Sequence, residues 1–310
     1  MIIRRFGQLF LLLIGISFIV FMSMHLAPGD PASMVAGPTA TAEDIANVRD
    51  KLGLERPVLV QYFDYVKGIV QGDLGMSFQY NQPVSDLLFA AFPNTLQLAI
   101  AGIIVAIIIG LVTGVIAAIR HNTWVDGAAT IAALVGVSIP NFWLGAILIL
   151  IFAVHLGWFP VGGLSEPIWT LEGLKQIALP AITLGASAAA MISRMARSSM
   201  LEVIRSDYVR TARAKGVKER TVLLVHCMRN AMIPVITIVG VNFGLLLGGS
   251  IITENVFAIH GVGSIIIEAI SKRDFPVVQG AVLLIAALFV IINLIVDIIY
   301  MYVDPRITYD

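Results

Sequence analysis

Charge is scarce in this sequence. Asp, Glu, Lys and Arg together make 13% of 310 residues, against about 25% in an ordinary soluble domain. The 20 basic and 20 acidic residues cancel to a formal net charge of zero, which leaves a nucleic-acid partner without global electrostatic support. Cysteine is nearly absent: Cys227 stands alone, so an intramolecular disulfide and a cysteine-based metal site are both excluded. No G-x-x-x-x-G-K-[ST] string occurs, so the chain has no P-loop with which to hold ATP. No G-x-S-x-G occurs either. The five histidines (His25, His121, His155, His226, His260) are scattered, with no pair at i, i+3 or i, i+4, which argues against H-E-x-x-H chemistry. Gly261-Val262-Gly263 is too little for a dinucleotide loop.

Apolar sequence is what the chain has in abundance: 58% of residues are hydrophobic and the mean hydropathy is +0.91. A segment of about 20 apolar residues crosses a hydrocarbon core of about 30 Å. Six such segments are predicted, near 8–26, 95–119, 128–155, 179–199, 231–252 and 279–302. The fold class expected is therefore an all-α polytopic membrane protein. The first segment follows a positive start, as a secretory signal does, but it is long and no small-x-small cleavage pattern follows it; it reads as a retained span. Pro140 removes a backbone donor from the third and predicts a kink or interruption there. Small residues (Gly102, Gly110 and Gly114 in the second span, Ala181, Gly185, Ala186, Ala188, Ala189 and Ala190 in the fourth) let helix backbones approach in lipid and predict packing seams. As simple apolar filler they would carry no such meaning.

Lys and Arg set the orientation. With both termini inside, thirteen of the 20 basic residues fall inside and seven outside, as the positive-inside rule favours. A hydrophilic segment near 27–93 then lies outside as a folded cap, with a short amphipathic helix at 41–52 capped by Thr41 and ended by Gly53. A second hydrophilic segment, 200–230, lies inside. Ser206-Asp207 is an N-cap signal, residues 208–215 read as a short helix stopped by Gly216, and a second helix starts near Lys218. The result is a compact knob between two spans. Its basic residues alone are equally those of a loop touching anionic lipid heads.

Ionisable groups within the spans are few: Asp297 in the last, Arg194 and Arg197 near the inner end of the fourth. A proton- or sodium-coupled carrier uses buried carboxylates near mid-membrane, and Asp297 alone makes a poor relay. Asn141, Ser187 and Asn242 are the candidate pore-lining groups; interhelical hydrogen bonding explains such buried polar side chains equally well. Spans, no visible energy source and a structured knob together suggest a translocation subunit driven by something else. Three other readings stand beside it: an ion-coupled secondary transporter acting alone, a channel or membrane scaffold, and a membrane enzyme, for which no acid/base or metal constellation is present.

At the knob the sequence Asp207-Tyr208-Val209-Arg210-Thr211-Ala212-Arg213-Ala214-Lys215-Gly216, followed by His226-Cys227-Met228-Arg229-Asn230-Ala231 and Pro234, resembles the coupling loop of binding-protein-dependent ABC importer permeases. More narrowly it resembles the B-type subunit of the dipeptide/oligopeptide/nickel branch. The general pattern there is E-A-A-x-x-x-G. Ala212 and Gly216 match it, while Arg210 and Thr211 replace the glutamate and first alanine. Pro28-Gly29-Asp30-Pro31, Gly72-Asp73-Leu74-Gly75, Pro93-Asn94-Thr95, Ser138-Ile139-Pro140, Leu179-Pro180 and Gly248-Gly249-Ser250 are similar to that branch as well.

The resemblance implies one membrane domain over 1–310, with an external cap at 27–93, a permease core at 95–302 and a coupling loop at 200–230. It implies a place in the bacterial inner membrane and several partners: a second, similar permease (a heterodimer), two cytoplasmic ATPases that hold the ATP and Mg, and an external solute-binding protein. Residues 207–216 other than Val209 would meet an ATPase, and no catalysis or cofactor would belong to this chain. Di- or oligopeptides, glutathione-like tripeptides included, lead as substrates, ahead of nickel complexes and sugars.

Overall fold

The computed structural model describes residues 2–26, 30–36, 39–51 and 53–303, with side chains for all of these except 2–6, 8–10, 34, 51, 297 and 299–303. Among the described residues the secondary structure is helical, with one isolated bridge between Met76 and Pro83. The elements in order are α1 (Ile2–Leu26), α2 (Pro31–Ala36), α3 (Ala42–Lys51), α4 (Val58–Val70), α5 (Val84–Ile119), α6 (Trp124–Ser138), α7 (Asn141–Leu148), α8 (Leu171–Ile204), α9 (Asp207–Ala214), α10 (Glu219–Thr221), α11 (Met228–Val256), α12 (Val262–Lys272) and α13 (Phe275–Val303). A π-helical stretch, Ile149–His155, continues α7, and another, Val222–Cys227, joins α10 to α11. Pro28, Gly29, the end of the 41–52 helix at Leu52, the side chain of Asp297 and the basic residue Arg306 lie outside the described residues.

Among the described residues four helices are long and apolar enough to cross a membrane: Val84–Ile119, Leu171–Ile204, Glu219–Val256 and Phe275–Val296. A fifth results if α6 and the α7 stretch count as one span, broken by a 104° bend. Leu11–Leu26 is a shorter apolar stretch. The bend falls at Ile139 and Pro140, both extended (ψ 125 and 134), where the sequence predicts an interruption. Three other prolines lie inside helices. The spans predicted to start at Thr95, Leu179 and Ala231 begin earlier and run through Pro93, Pro180 and Pro234. Each proline forfeits one backbone bond, yet in lipid every remaining N–H and C=O must still be paired within the helix, so the helix continues past it.

The chain divides into two compact units, residues 1–93 with 261–288 and residues 94–260 with 289–310. In the first, α3 carries the predicted cap: Asp44 N–H donates to Thr41 Oγ1 (3.2 Å) and Thr41 N–H to Asp44 Oδ2 (2.9 Å). Three elements, α2, α4 and α12, have no counterpart among the sequence-based expectations. α4 packs on α1, and α12 buries Val262, Ile265, Ile266 and Ala269, one face at helical spacing. The turn at 77–79 is held by Asp274, which is 1% exposed. That carboxylate accepts from Ser77 Oγ (2.5 Å) and from the amides of Phe78 (3.1 Å) and Gln79 (3.2 Å).

In the second unit α8 is the most enclosed helix, with 67% of its apolar window buried. It meets α5 backbone to backbone through the small residues. A Cβ at Gly185 would stand 2.5 Å from the Gly102 carbonyl oxygen, and one at Gly110 2.8 Å from that of Ala189. At Gly114 it would run into Ser193 O. These distances leave no room for a side chain. Gly185→Val is expected to lower stability by about 1–3 kcal/mol or more, read as a lower unfolding midpoint in detergent. Gly127→Val, where nothing lies within 4 Å, is the matched control and should leave the midpoint in place.

Candidate functional site

The knob is built on α9, whose two faces differ in kind. Val209 is fully buried among Val115, Ala118, Met200, Val222, Cys227 and Ala231, and Ala212 packs against the same cluster. The lone cysteine serves here as a small apolar side chain. On the opposite face the side chains of Asp207 and Arg210 are 98% and 77% exposed. Thr211, Ala214 and Lys215 are exposed with them. Positions 207, 210, 211 and 214 share one helical stripe, so the knob presents a row of polar and small groups above an apolar footing.

The footing is tied at both ends. Tyr208 Oη accepts from Asn230 Nδ2 at 2.7 Å. Arg213 pairs with Glu219 through two bonds, Nε to Oε2 (3.1 Å) and Nη2 to Oε1 (2.7 Å), bridging the turn between α9 and α10. Its guanidinium is thus oriented within the knob. Gly216 makes that turn at φ +76. Gly216 N–H donates to Arg213 O (3.0 Å) and Val217 N–H to Ala212 O (3.3 Å). These two bonds, with Val217 packed on the same cluster as Ala212, form a Schellman cap, which glycine alone enters without a Cβ penalty. The expected side-chain cap at the other end is not made. Ser206 Oγ donates back to Val203 O at 2.6 Å, and α9 starts at Asp207, one residue before the predicted boundary, on the Ser206 backbone carbonyl alone.

The pore candidates lie on three different helices. Asn141 is the half-buried first residue of α7, just after the bend, and Ser187 is half-buried on α8. Asn242 on α11 is 5% exposed, and its Nδ2 donates to Ile238 O of its own helix at 2.7 Å.

Two buried polar contacts escaped the sequence reading. Arg197 of α8 grips Asp126 in the first turn of α6, Nε to Oδ1 at 2.6 Å and Nη2 to Oδ2 at 2.8 Å. Asn122 N–H (3.1 Å) and His121 Nδ1 (3.1 Å) also reach Oδ2. The signal was there, as an acid at Asp126 and bases at Arg194 and Arg197 near the ends of two spans. Only the fold says that the two ends are neighbours. Glu254 is fully buried and accepts from Thr95 Oγ1 at 2.8 Å. It fell outside the predicted fifth span, which α11 overruns as far as Val256.

Comparison with known proteins adds the following. Residues 110–309 match the family model described as the binding-protein-dependent transport system inner membrane component. Residues 1–99 match its N-terminal companion. The glutathione transport system permease protein GsiC of Escherichia coli is 44% identical over 308 residues, covering 99% of this chain and 98% of that protein. The dipeptide transport system permease protein DppB of Alkalihalophilus pseudofirmus is 43% identical over 327 residues, with 99% and 98% covered. Among solved structures, a chain of the inward-facing MetNI methionine ABC transporter matches with a TM-score of 0.58 at 22% identity, over 70% of this chain and 96% of that one. A chain of an amino acid ABC transporter with histidines matches with a TM-score of 0.51 at 16% identity, over 72% and 95%. At such identities the likeness is one of helical fold.

Proposed function

Because the chain belongs to the binding-protein-dependent transport system inner membrane component family, we propose that it forms half of the pore of an ATP-driven importer of short peptides. It is a permease subunit of the inner membrane. The peptide substrate, of two or three residues, follows the names of its relatives, a glutathione and a dipeptide permease. Six spans with both termini in the cytoplasm, a single membrane domain with an external cap at 27–93, a second permease, two ATPases and an external binding protein complete the reading. ATP and Mg belong to the ATPases.

One observation carries it: α9 combines a fully packed apolar face with an exposed stripe of Asp207, Arg210, Thr211 and Ala214, beside Lys215. A helix anchored on one side and open on the other suits docking into a groove of an ATPase. Ala214 permits close approach, the charges set register, and the cap at Gly216 keeps the element stiff enough to transmit rigid-body motion. Arg213 stands exposed beside that stripe, its guanidinium oriented by Glu219.

The test is reconstitution in lipid vesicles. Dipeptide uptake is expected only with the partner permease, both ATPases, the binding protein and ATP together. Uptake by this chain alone, driven by an ion gradient, would replace this reading with a secondary transporter. Deleting 41–54 from the cap is expected to impair delivery from the binding protein while leaving ATPase docking intact, as measured by uptake and by co-purification.

A further inference from the structure

α4 lies in the segment between the first two spans, which the sequence reads as hydrophilic, yet its surroundings are those of a membrane helix. It packs on α1 through a ring cluster: Phe18 and Tyr62 meet edge to face at 5.3 Å between centroids, and Phe21 touches Tyr62 (5.4 Å) and Tyr65 (5.6 Å). His25 Nε2 lies 3.1 Å from Gln61 Oε1. The Tyr62 hydroxyl reaches further down α1, to 2.9 Å from Ser17 Oγ and 3.3 Å from the Ile14 carbonyl. Ser17 precedes the end of α1 at Leu26 by nine residues, or about 13 Å of helix rise. Half the thickness of a hydrocarbon core is about 15 Å. If α1 spans the bilayer, as the proposed function has it, that hydroxyl sits at hydrocarbon depth, where its hydrogen bonds to α1 satisfy it.

The rest of α4 is arranged to match. Tyr62 and Tyr65 turn toward α1, whereas Leu59, Phe63 and Val70 are 66%, 69% and 82% exposed. At 3.6 residues per turn these three fall within an arc of about 40°. Asp64 and Lys67 follow on the next sector, both exposed, and Asp64 pairs with Arg56 at 3.2 Å. The arc joins the exposed surface of α1 through the ring contacts Phe18–Tyr62 and Tyr62–Phe63 (6.4 Å); on α1, Phe18, Ile19 and Leu26 are 43%, 68% and 78% exposed. Exposed apolar groups in a row are costly in water. Beside a spanning helix they need no protein to cover them.

We propose that α4 is a membrane-inserted helix packed on α1, with Leu59, Phe63 and Val70 sunk among the acyl chains of the outer leaflet and Asp64 and Lys67 at the headgroups. The inference rests on the proposed function through the spanning role of α1. The occupant is lipid rather than a protein partner because the arc joins the exposed surface of α1 and is edged by charge, as amphipathic membrane helices are. The external cap is thereby anchored in the membrane and not only tethered above it.

Spin labels at single introduced cysteines test this in the whole transporter in lipid nanodiscs. The variants are Phe63→Cys, Asp64→Cys and Ile19→Cys, with the unsubstituted transporter as background and the buried Cys227 retained. Relaxation by oxygen, which collects in lipid, is compared with relaxation by a water-soluble nickel chelate. Labels at positions 63 and 19 should both show oxygen-to-nickel ratios several-fold above that at position 64. A ratio at 63 equal to that at 64, with 19 still in lipid, overturns the inference and leaves the spanning reading intact. So does shielding of 63 from both reagents, which would mark a protein partner. An aqueous ratio at 19 overturns the spanning reading and this inference with it.

Discussion

Gly216→Pro is expected to abolish peptide-stimulated ATP hydrolysis by the assembled transporter while leaving the membrane helices folded. Gly216 sits at φ +76, which proline, fixed near −65°, is unable to adopt. Proline also removes the amide that donates to Arg213 O at 3.0 Å. The Schellman cap then opens, Val217 leaves the cluster around Val209, and α9 loses its footing while the long helices keep theirs. Other substitutions should grade the effect. A Cβ at 216 meets nothing within 4 Å, so Gly216→Ala pays only the left-handed backbone cost of about 1–2 kcal/mol and should retain partial coupling. Gly216→Asn, better suited to that region, should retain more. Ala212→Trp attacks the same joint from the inner face by overfilling the cluster, at about 1–3 kcal/mol, and should uncouple as Gly216→Pro does. The measurement is ATPase rate with and without loaded binding protein, beside the unfolding midpoint. Normal stimulation in Gly216→Pro would remove the docking role from the knob.

Arg197→Leu is expected to destabilise the second unit by about 3–5 kcal/mol, because it strands the buried Asp126 carboxylate, and Asp126→Ala by less, because the charge it leaves can reach water. Asp126 has a side chain only 7% exposed and Arg197 31%, so screening by water is limited on the acid side. The double variant Asp126→Leu with Arg197→Leu should melt above Arg197→Leu alone, since it buries no unpaired carboxylate. Arg197 lies on α8 seven residues before its end at Ile204, on the helix that leads into α9. Uptake should therefore fall along with stability in the single variants. A wild-type unfolding midpoint in Arg197→Leu would show the pair to be energetically inert.

Parts of this architecture were legible because they obey local rules. Thr41 and Asp44 at capping spacing specify the start of α3, Pro140 the bend, and Gly216 the left-handed turn after α9. Each depends on neighbours within a few residues. Helix ends were less legible. Pro93, Pro180 and Pro234 are stop signals in water, but bilayer surroundings reverse their weight, and the helices pass through them. α12 was missed because its apolar face is only eleven residues long, too short for a span and flanked by Lys272 and Arg273. α4 was submerged in the hydrophilic average of its segment, although Leu59, Phe63 and Val70 fall on one side of a helix.

The sequence by itself determined that this is a helical membrane protein of a transport permease family. It also marked where the knob lies, because hydropathy, glycine placement and motif are properties of contiguous residues. Tertiary structure alone decided which distant polar residues are partners. Arg197 finds Asp126, Thr95 finds Glu254, and Tyr62 reaches Ser17. These pairs join residues at least 45 positions apart, and only packing of the helices sets such distances. The physical reason is that burial makes an unpaired polar group costly, so each is matched by whatever the fold brings beside it.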